Sequence, residues 1–253
     1  MATGTETTIP QHQRSFMLSP FAPPPPDDRP GGYDYGNDNA PPSDGQAVPR
    51  KLARQAKRCF DVIVATLLIL ALSALMLVLA WLVRRDGKPA LYRHKRIGIN
   101  GQSFYCIKFR SMVANGDEIL ADLLARDPDA RAEWAATQKL RRDPRITRVG
   151  DFLRKTSLDE LPQLINVLRG EMSLVGPRPI VAAETHFYGD HIEDYYAARP
   201  GITGLWQVSG RSDTTYERRV ALDVSYVRNW SLANDMVILM KTLPVVLLRR
   251  GAV

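Results

Sequence analysis

The run VIVATLLILALSALMLVLAWLV, residues 62–83, holds 22 consecutive residues without a charge. Wound as an α-helix it is roughly 33 Å long, against a bilayer hydrocarbon core of about 30 Å. A helix in the core of a soluble protein keeps a polar face, whereas this one offers only Thr66 and Ser73. The run therefore reads as a membrane helix, and the rest of the chain is expected to dock against it.

Both flanks of that helix are basic: Arg50, Lys51, Arg54, Lys57 and Arg58 precede it, and Arg84, Arg85, Lys88, Arg93, Lys95 and Arg96 follow. A spanning helix cannot keep both clusters on the cytoplasmic side, as the positive-inside rule asks. A re-entrant hairpin would, with each cluster against anionic headgroups. Such a hairpin needs a break, and the run has neither Pro nor Gly; Ser73 is the one residue able to bend it by bonding back to a carbonyl. Both topologies stand open at this level.

The remaining composition is uneven. Residues 1–50 hold 10 of the 18 prolines, and the net charge of +7 divides into −3 over those residues and +10 over the rest. With so few aliphatic side chains, residues 1–49 cannot offset their chain entropy and read as a disordered tail. They lack the early apolar run of a secretory signal. Cys59 and Cys106 have no paired spacing, so a zinc site or a disulfide framework is not expected. The basic excess fits an anionic partner, whether nucleic acid, lipid headgroups or a nucleotide diphosphate.

The chemistry concentrates in TSLDELPQLINVL, 156–168. Leu161, Leu164, Ile165 and Leu168 fall at helical spacing, Gly170 would end the helix, and Ser157 would cap its start. Asp159 and Glu160 then occupy the first turn. Taken alone, Glu160 would be the partner of Ser157 in a capping box and Asp159 a surface acid. The neighbouring strings argue for more. DPRITRVGDFLRK (143–155) supplies Arg145, Arg148, Arg154 and Lys155, SLVGPRP (173–179) supplies Arg178 between two prolines, and KFRSM (108–112) supplies Lys108 and Arg110. Cations on rigid turns around two carboxylates suit a diphosphate substrate, with Mg²⁺ bridging Asp159 and phosphate oxygens. RPGITGLWQVSGR (199–211) reads as a turn-rich wall facing a ligand, with Trp206 either stacking on a nucleobase or anchoring the loop. There is no GxxxxGK[ST] string for a P-loop, and the four histidines form no nucleophile–base pattern.

KRCFD (57–61), RIG, NG, KFRSM, TSLDELPQLINVL, SLVGPRP and RPGITGLWQVSGR, in that order, resemble the bacterial sugar transferase family over residues 50–253. More narrowly they resemble its monotopic polyprenyl-phosphate phosphoglycosyl transferases, which begin exopolysaccharide assembly. The resemblance implies attack by Asp159, partnered by Glu160, on the β-phosphate of a UDP-sugar. UMP leaves, a covalent phosphosugar intermediate forms, and polyprenyl (undecaprenyl) phosphate takes up the phosphosugar. Lys108, Arg154 and Arg178 would neutralise phosphate oxygens, and Arg199, Gly201, Thr203, Gly204 and Arg211 would hold the nucleotide-sugar. It also implies Mg²⁺ as cofactor, membrane lipids and no nucleic acid as partners, and a catalytic domain on the cytoplasmic face of the inner membrane. Galactose or glucose is the expected sugar. Where relatives carry a Ser-Pro pair in the membrane helix, this chain reads Ser73-Ala74.

The expected fold is helix-dominated α+β: a tail (1–49), a basic lead-in with the membrane helix (50–90), and a compact catalytic domain (91–253). Short strands are expected within 91–110, two short amphipathic helices joined near Pro128, and an apolar helix from 236 to 248, either core or interfacial. The competing reading is a membrane-tethered, anion-binding protein without catalysis, and a nucleotide-sugar hydrolase is a third.

Overall fold

The structure, a computed structural model, describes residues 50–137, 140–209 and 215–247. The tail 1–49, Arg211 and the basic pair Arg249 and Arg250 lie outside the described residues. Among those described, Leu123–Arg141 belongs to one compact unit, and the remainder, within Gln46–Asp122 and Arg142–Val253, to another.

The smaller unit holds the end of α2 (Gly116–Arg126) and all of α3 (Pro128–Thr137). The break between these helices falls at Asp127–Pro128. Pro128 takes the first helical position, where its missing N–H costs nothing, and the Asp127 carboxylate accepts from the amides of Asp129 and Ala130.

The larger unit is built along α1, one uninterrupted helix from Arg50 to Val83. Its two ends are held by the same unit. Near the start, Lys57 Nζ donates to Val175 O (3.0 Å) and to Asp235 (2.5 Å), and buried Asp61 accepts from Ser173 Oγ (2.7 Å) and the Leu174 amide. Near the finish, Leu79 and Val83 pack with Ala90, Phe109 and Leu153, while Arg110 donates to Val83 O and Asp86. The opposite face is open: Ile63, Leu67, Leu70, Leu77 and Trp81 are exposed. Within Leu52–Asp86 the chain is long and apolar enough to cross a membrane, and only 11% of its most apolar window is buried.

After α1 comes a hairpin. Strand β1 (Leu91–Ile97) pairs antiparallel with β2 (Ser103–Phe109), in a register that sets Tyr92 opposite Lys108, His94 opposite Cys106 and Arg96 opposite Phe104. Asn100 and Gly101 both take positive φ in the connection, which is why an Asn-Gly pair sits there. A second, parallel pair joins β3 (Ser173–Val175) to β4 (Gly201–Thr203).

Between hairpin and parallel pair run α4 (Arg148–Thr156) and α5 (Gln163–Arg169). Asn166 on α5 is fully buried and serves as a clamp: its Oδ1 accepts from the Ile107 amide (3.0 Å) and its Nδ2 donates to Tyr105 O (2.8 Å). The Arg58 guanidinium donates to the Val167 and Leu168 carbonyls at the far end of α5. After β3 a 3₁₀ segment (Ala182–His191) leads to α6 (Ile192–Tyr196). Next come β4, the short α7 (Leu205–Val208), α8 (Tyr216–Arg228) and α9 (Leu232–Leu247).

The apolar C-terminal segment, expected to be core or interfacial, contributes to the core with one face and leaves another exposed. On α9, Ile238 enters the main core beside Met172, Leu174 and Tyr226, while Val237, Met240 and Leu243 are exposed. The architecture is thus helix-dominated α+β, with one long apolar helix against a mixed unit of helices and short strands.

Candidate active site

The helix expected to begin at Ser157 does not. Ser157 terminates α4 in the left-handed region (φ 56°), a 3₁₀ turn covers Leu158–Glu160, and α5 starts only at Gln163. The Ser157 side chain makes no capping hydrogen bond, so the capping-box reading of Glu160 falls. Glu160 instead takes a 2.6 Å hydrogen bond from Lys108 Nζ on β2. Because Asn166 ties α5 to β2, the turn that carries the two acids and the strand that carries Lys108 are fixed relative to each other.

The neighbouring carboxyls differ sharply. Asp159 is 9% exposed, and burial pushes its pKa up to about 6; Glu160 adds to this, and Lys108 and Arg154 oppose it. For Glu160 desolvation acts in the same upward direction, but Lys108, Arg178 and Gln163 outweigh it and hold the group below the usual range. One acid therefore stays ionised beside its lysine, and the other titrates close to neutrality.

Arg154 sits in the last turn of α4, with its Nε donating to Ser111 Oγ at 3.0 Å. A glycine one turn earlier makes that approach possible. A Cβ at Gly150 would come within 1.9 Å of Ser111 O. Arg178 is held between Pro177 and Pro179, with its guanidinium 5.4 Å over the Trp206 ring. Lys108, Arg154 and Arg178 thus all act on the acid pair.

Arg96 lies beside Arg178, although the sequence placed it merely in a basic flank. Its NH1 donates to Pro179 O and its NH2 to His94 Nδ1. Burial, and then the nearby charge of Arg178, pull its pKa down. The signal lay in strand alternation, because residues 92, 94 and 96 share the face of residues 104, 106 and 108.

Other basic residues are occupied elsewhere. Arg110 binds the end of α1, Arg145 pairs bidentately with Asp143 (2.8 and 2.6 Å), and Lys155 pairs with Asp151. The stretch expected to wall the nucleotide has structural work. Arg199 Nε donates to Gly170 O at the opposite end of α5 from the acids, and Thr203 is buried with its hydroxyl 2.8 Å from that of Thr242. A Cβ on Gly201 would meet the Gly176 amide at 2.1 Å, and one on Gly204 the Gly176 carbonyl at 2.1 Å. Close approach of β4 to the chain after β3 demands these glycines. Trp206, 7% exposed, carries guanidinium groups against its ring, Arg178 at 5.4 Å and Arg219 at 4.6 Å, and is an anchor for arginines. Cys59 and Cys106 are free thiols.

Among the described residues no set of three His, Cys, Asp or Glu side chains comes together as a metal site. A groove of about 740 Å³ opens along α1, lined by Ile69, Met76, Leu77 and Ala80 of α1, by Phe109, and by Pro162 and Ile165. Arg84 and Lys88 also border it.

Residues 52–249 match the family model described as bacterial sugar transferase. The chain is 56% identical over 205 residues to the undecaprenyl-phosphate galactose phosphotransferase of Salmonella typhimurium, across 81% of this chain and 43% of that protein. It is 53% identical over 204 residues to the exopolysaccharide production protein ExoY of Rhizobium meliloti, across 80% of this chain and 90% of that protein. With the UDP-glucose:undecaprenyl-phosphate glucose-1-phosphate transferase of Caulobacter vibrioides it shares 40% identity over 209 residues, 79% of this chain and 73% of that protein. The chain spans less than half the length of the first of these and most of the second. With a family match over residues 52–249 of its 253, the chain belongs to the bacterial sugar transferases.

Proposed function

We propose that this protein transfers a sugar-1-phosphate from a UDP-sugar to polyprenyl phosphate at the cytoplasmic surface of the membrane. The observation that carries the reading is the acid pair: Asp159 buried with its pKa at about 6, beside Glu160 held ionised by Lys108, with Arg154 and Arg178 acting on them. Cations in excess around two carboxylates suit a polyanionic donor and an anionic acceptor.

In the first step an Asp159 oxygen attacks the β-phosphorus. The bond from that phosphorus to the bridging oxygen breaks, its electron pair stays on that oxygen, and UMP leaves. An acyl phosphosugar remains on Asp159. In the second step a phosphate oxygen of the lipid attacks the same phosphorus, and the Asp159 carboxylate is released unchanged. Splitting one transfer into two lets a single site serve two anions in turn. Glu160 and Lys108 hold the turn in place, and Lys108, Arg154 and Arg178 offset phosphate charge.

Mg²⁺ fits this donor set in a limited way. Two adjacent carboxylates cannot cage an ion, but Mg²⁺ is commonly held by one or two carboxylates together with substrate phosphates and water. Asp159 is the residue to hold it, and the ion would offset repulsion between carboxylate and diphosphate. The apolar groove beside Pro162, with Arg84 and Lys88 bordering it, suits the prenyl chain of the acceptor. The names of the relatives favour galactose or glucose as the sugar.

The test is incubation with a panel of UDP-sugars, Mg²⁺ and polyprenyl phosphate, followed by mass analysis of the peptide containing Asp159. UMP release together with a phosphosugar adduct on that peptide is expected. UMP release without lipid acceptor, at an undiminished steady rate, would instead mark a hydrolase, and no UMP from any donor would end the enzymatic reading.

A further inference from the structure

Arg199, Gly201, Thr203 and Gly204 are engaged in packing, and a different group of side chains offers a seat for the nucleotide end of the donor. Arg219, in the first turn of α8, lies against two aromatic rings, 4.6 Å from Trp206 and 4.3 Å from Tyr216. A guanidinium held over a ring keeps its in-plane N–H edge for hydrogen bonding, which is the edge that takes phosphate oxygens in pairs. Among the described residues that edge takes no hydrogen bond at Nε or NH1. Arg219 Nε and NH1, the Tyr216 hydroxyl and Arg178 Nε are buried and without hydrogen-bond partners.

A buried donor left unpaired is costly, the more so when charged, so four in one place call for a reason. The local acids do not supply it. Glu184 stands 3.7 Å from Arg219 and 3.7 Å from Arg96, beyond hydrogen-bond reach of either, and spends its Oε2 on the Val181 amide. Asp223 is buried, accepts from the Tyr188 hydroxyl, and is pushed up to about 7 by burial. Three guanidinium groups thus face two carboxylates, Glu184 and Asp223.

Position supplies the rest. Arg178 acts on Glu160, shares the Trp206 ring with Arg219 and lies near Tyr216, so the arginines lead from the acid pair toward the start of α8. In-line displacement puts the leaving oxygen across the phosphorus from the attacking carboxylate. The departing phosphate therefore needs cations beyond those that surround Asp159. The amide end of a 13-residue helix adds to the attraction.

We propose that Arg219 and Tyr216, together with Arg178, seat the phosphate of the leaving nucleoside monophosphate, an assignment that rests on the transfer reaction proposed above. Tyr216 supplies a hydroxyl donor, Arg219 its paired N–H edge, and Trp206 keeps both arginines in plane.

The test is calorimetric titration of the full chain, in lipid nanodiscs, with UMP, with inorganic phosphate as control. Loss of one charge-assisted donor pair should weaken UMP binding about 10- to 100-fold in Arg219→Ala, and loss of one neutral donor about 3- to 10-fold in Tyr216→Phe. Arg219→Lys should recover part of the loss. Tyr216→Phe keeps the ring, so it remains informative even if Arg219→Ala melts early. Wild-type affinity for UMP in folded Arg219→Ala and Tyr216→Phe would overturn the assignment, as would a wild-type protein that does not bind UMP. A rise in KM for polyprenyl phosphate alone, with UMP binding unchanged, would hand these residues to the lipid phosphate instead and also overturn it. UMP release from UDP-sugar by the wild-type protein reports separately on the transfer reaction.

Discussion

Asp159 illustrates how function and stability oppose each other at one side chain. Its folded pKa of about 6 lies above the ordinary carboxylate value, so the folded state binds this proton more tightly than the unfolded chain does. Ionisation in the fold therefore costs stability above pH 6, and the cost disappears below the unfolded value. Asp159→Asn should abolish turnover, since an amide is no nucleophile, while stabilising the fold by ~2–3 kcal/mol at pH 8. The gain should shrink to nothing near pH 3.5 in denaturant titrations at the two pH values. Turnover of the wild-type protein should rise with pH through about 6 as Asp159 ionises; a flat profile from pH 5 to 8 would remove this carboxylate as the attacking group. Glu160 should behave oppositely. Since Lys108 and Arg178 hold it low, it stays ionised across that range.

At the scale of elements, two contacts decide whether the site exists. The first is the approach of α4 to Ser111 at Gly150. Gly150→Ala drives a methyl into the Ser111 carbonyl, so α4 must shift and carry Arg154 with it. The expected result is a loss of ~2–4 kcal/mol in stability with at least a tenfold fall in kcat/KM, measured on the same preparation. The second is the polar knot between α1 and α9. Asp235, 1% exposed, accepts from Lys57, Tyr226 and Trp230. Removing the carboxylate leaves a half-buried ammonium without its counter-charge, and Asp235→Ala should cost ~3–5 kcal/mol by chemical denaturation. Loss below 1 kcal/mol would mean the knot contributes nothing net. The helix break at Pro128 was legible beforehand, because the chemistry of proline is local. The end of α4 at Ser157 was not, since a serine in the left-handed region is chosen by the packing of Leu153 and Leu161 around it rather than by its own preference.

For the molecule as a whole the question is how α1 meets the bilayer. The sequence left a spanning helix and a re-entrant hairpin open, and the structure has neither a break at Ser73 nor free ends. Ser73 bonds back to Leu70 O, yet the helix continues unbroken, and the same unit grips it at Lys57 and Asp61 and again at Leu79 and Val83. A helix so held cannot leave its unit on the far side of a bilayer. Its open face, with Ile63, Leu67, Leu70, Leu77 and Trp81, is expected to lie in one leaflet and keep both basic flanks on the cytoplasmic side. Single cysteines at Arg54→Cys and Arg85→Cys, in a Cys59→Ser background, should both resist an impermeant thiol reagent in intact cells and react after permeabilisation. Reaction of either one in intact cells would show that α1 spans.

Sequence alone determined the apolar helix and the adjacency of Asp159 and Glu160, and its motifs carried the family resemblance. These are properties of composition and of residues close together in the chain, where physical meaning is carried by spacing. What only the tertiary structure decided is which cations reach the acids and which serve packing. An antiparallel register sets Arg96 on the Lys108 face, beside Arg178, and Arg199 is drawn to Gly170 at the far end of α5. The same holds for Asp159 itself. A helix start would have kept it charged, whereas burial beneath the turn, set by elements distant in sequence, brings its titration close to neutrality.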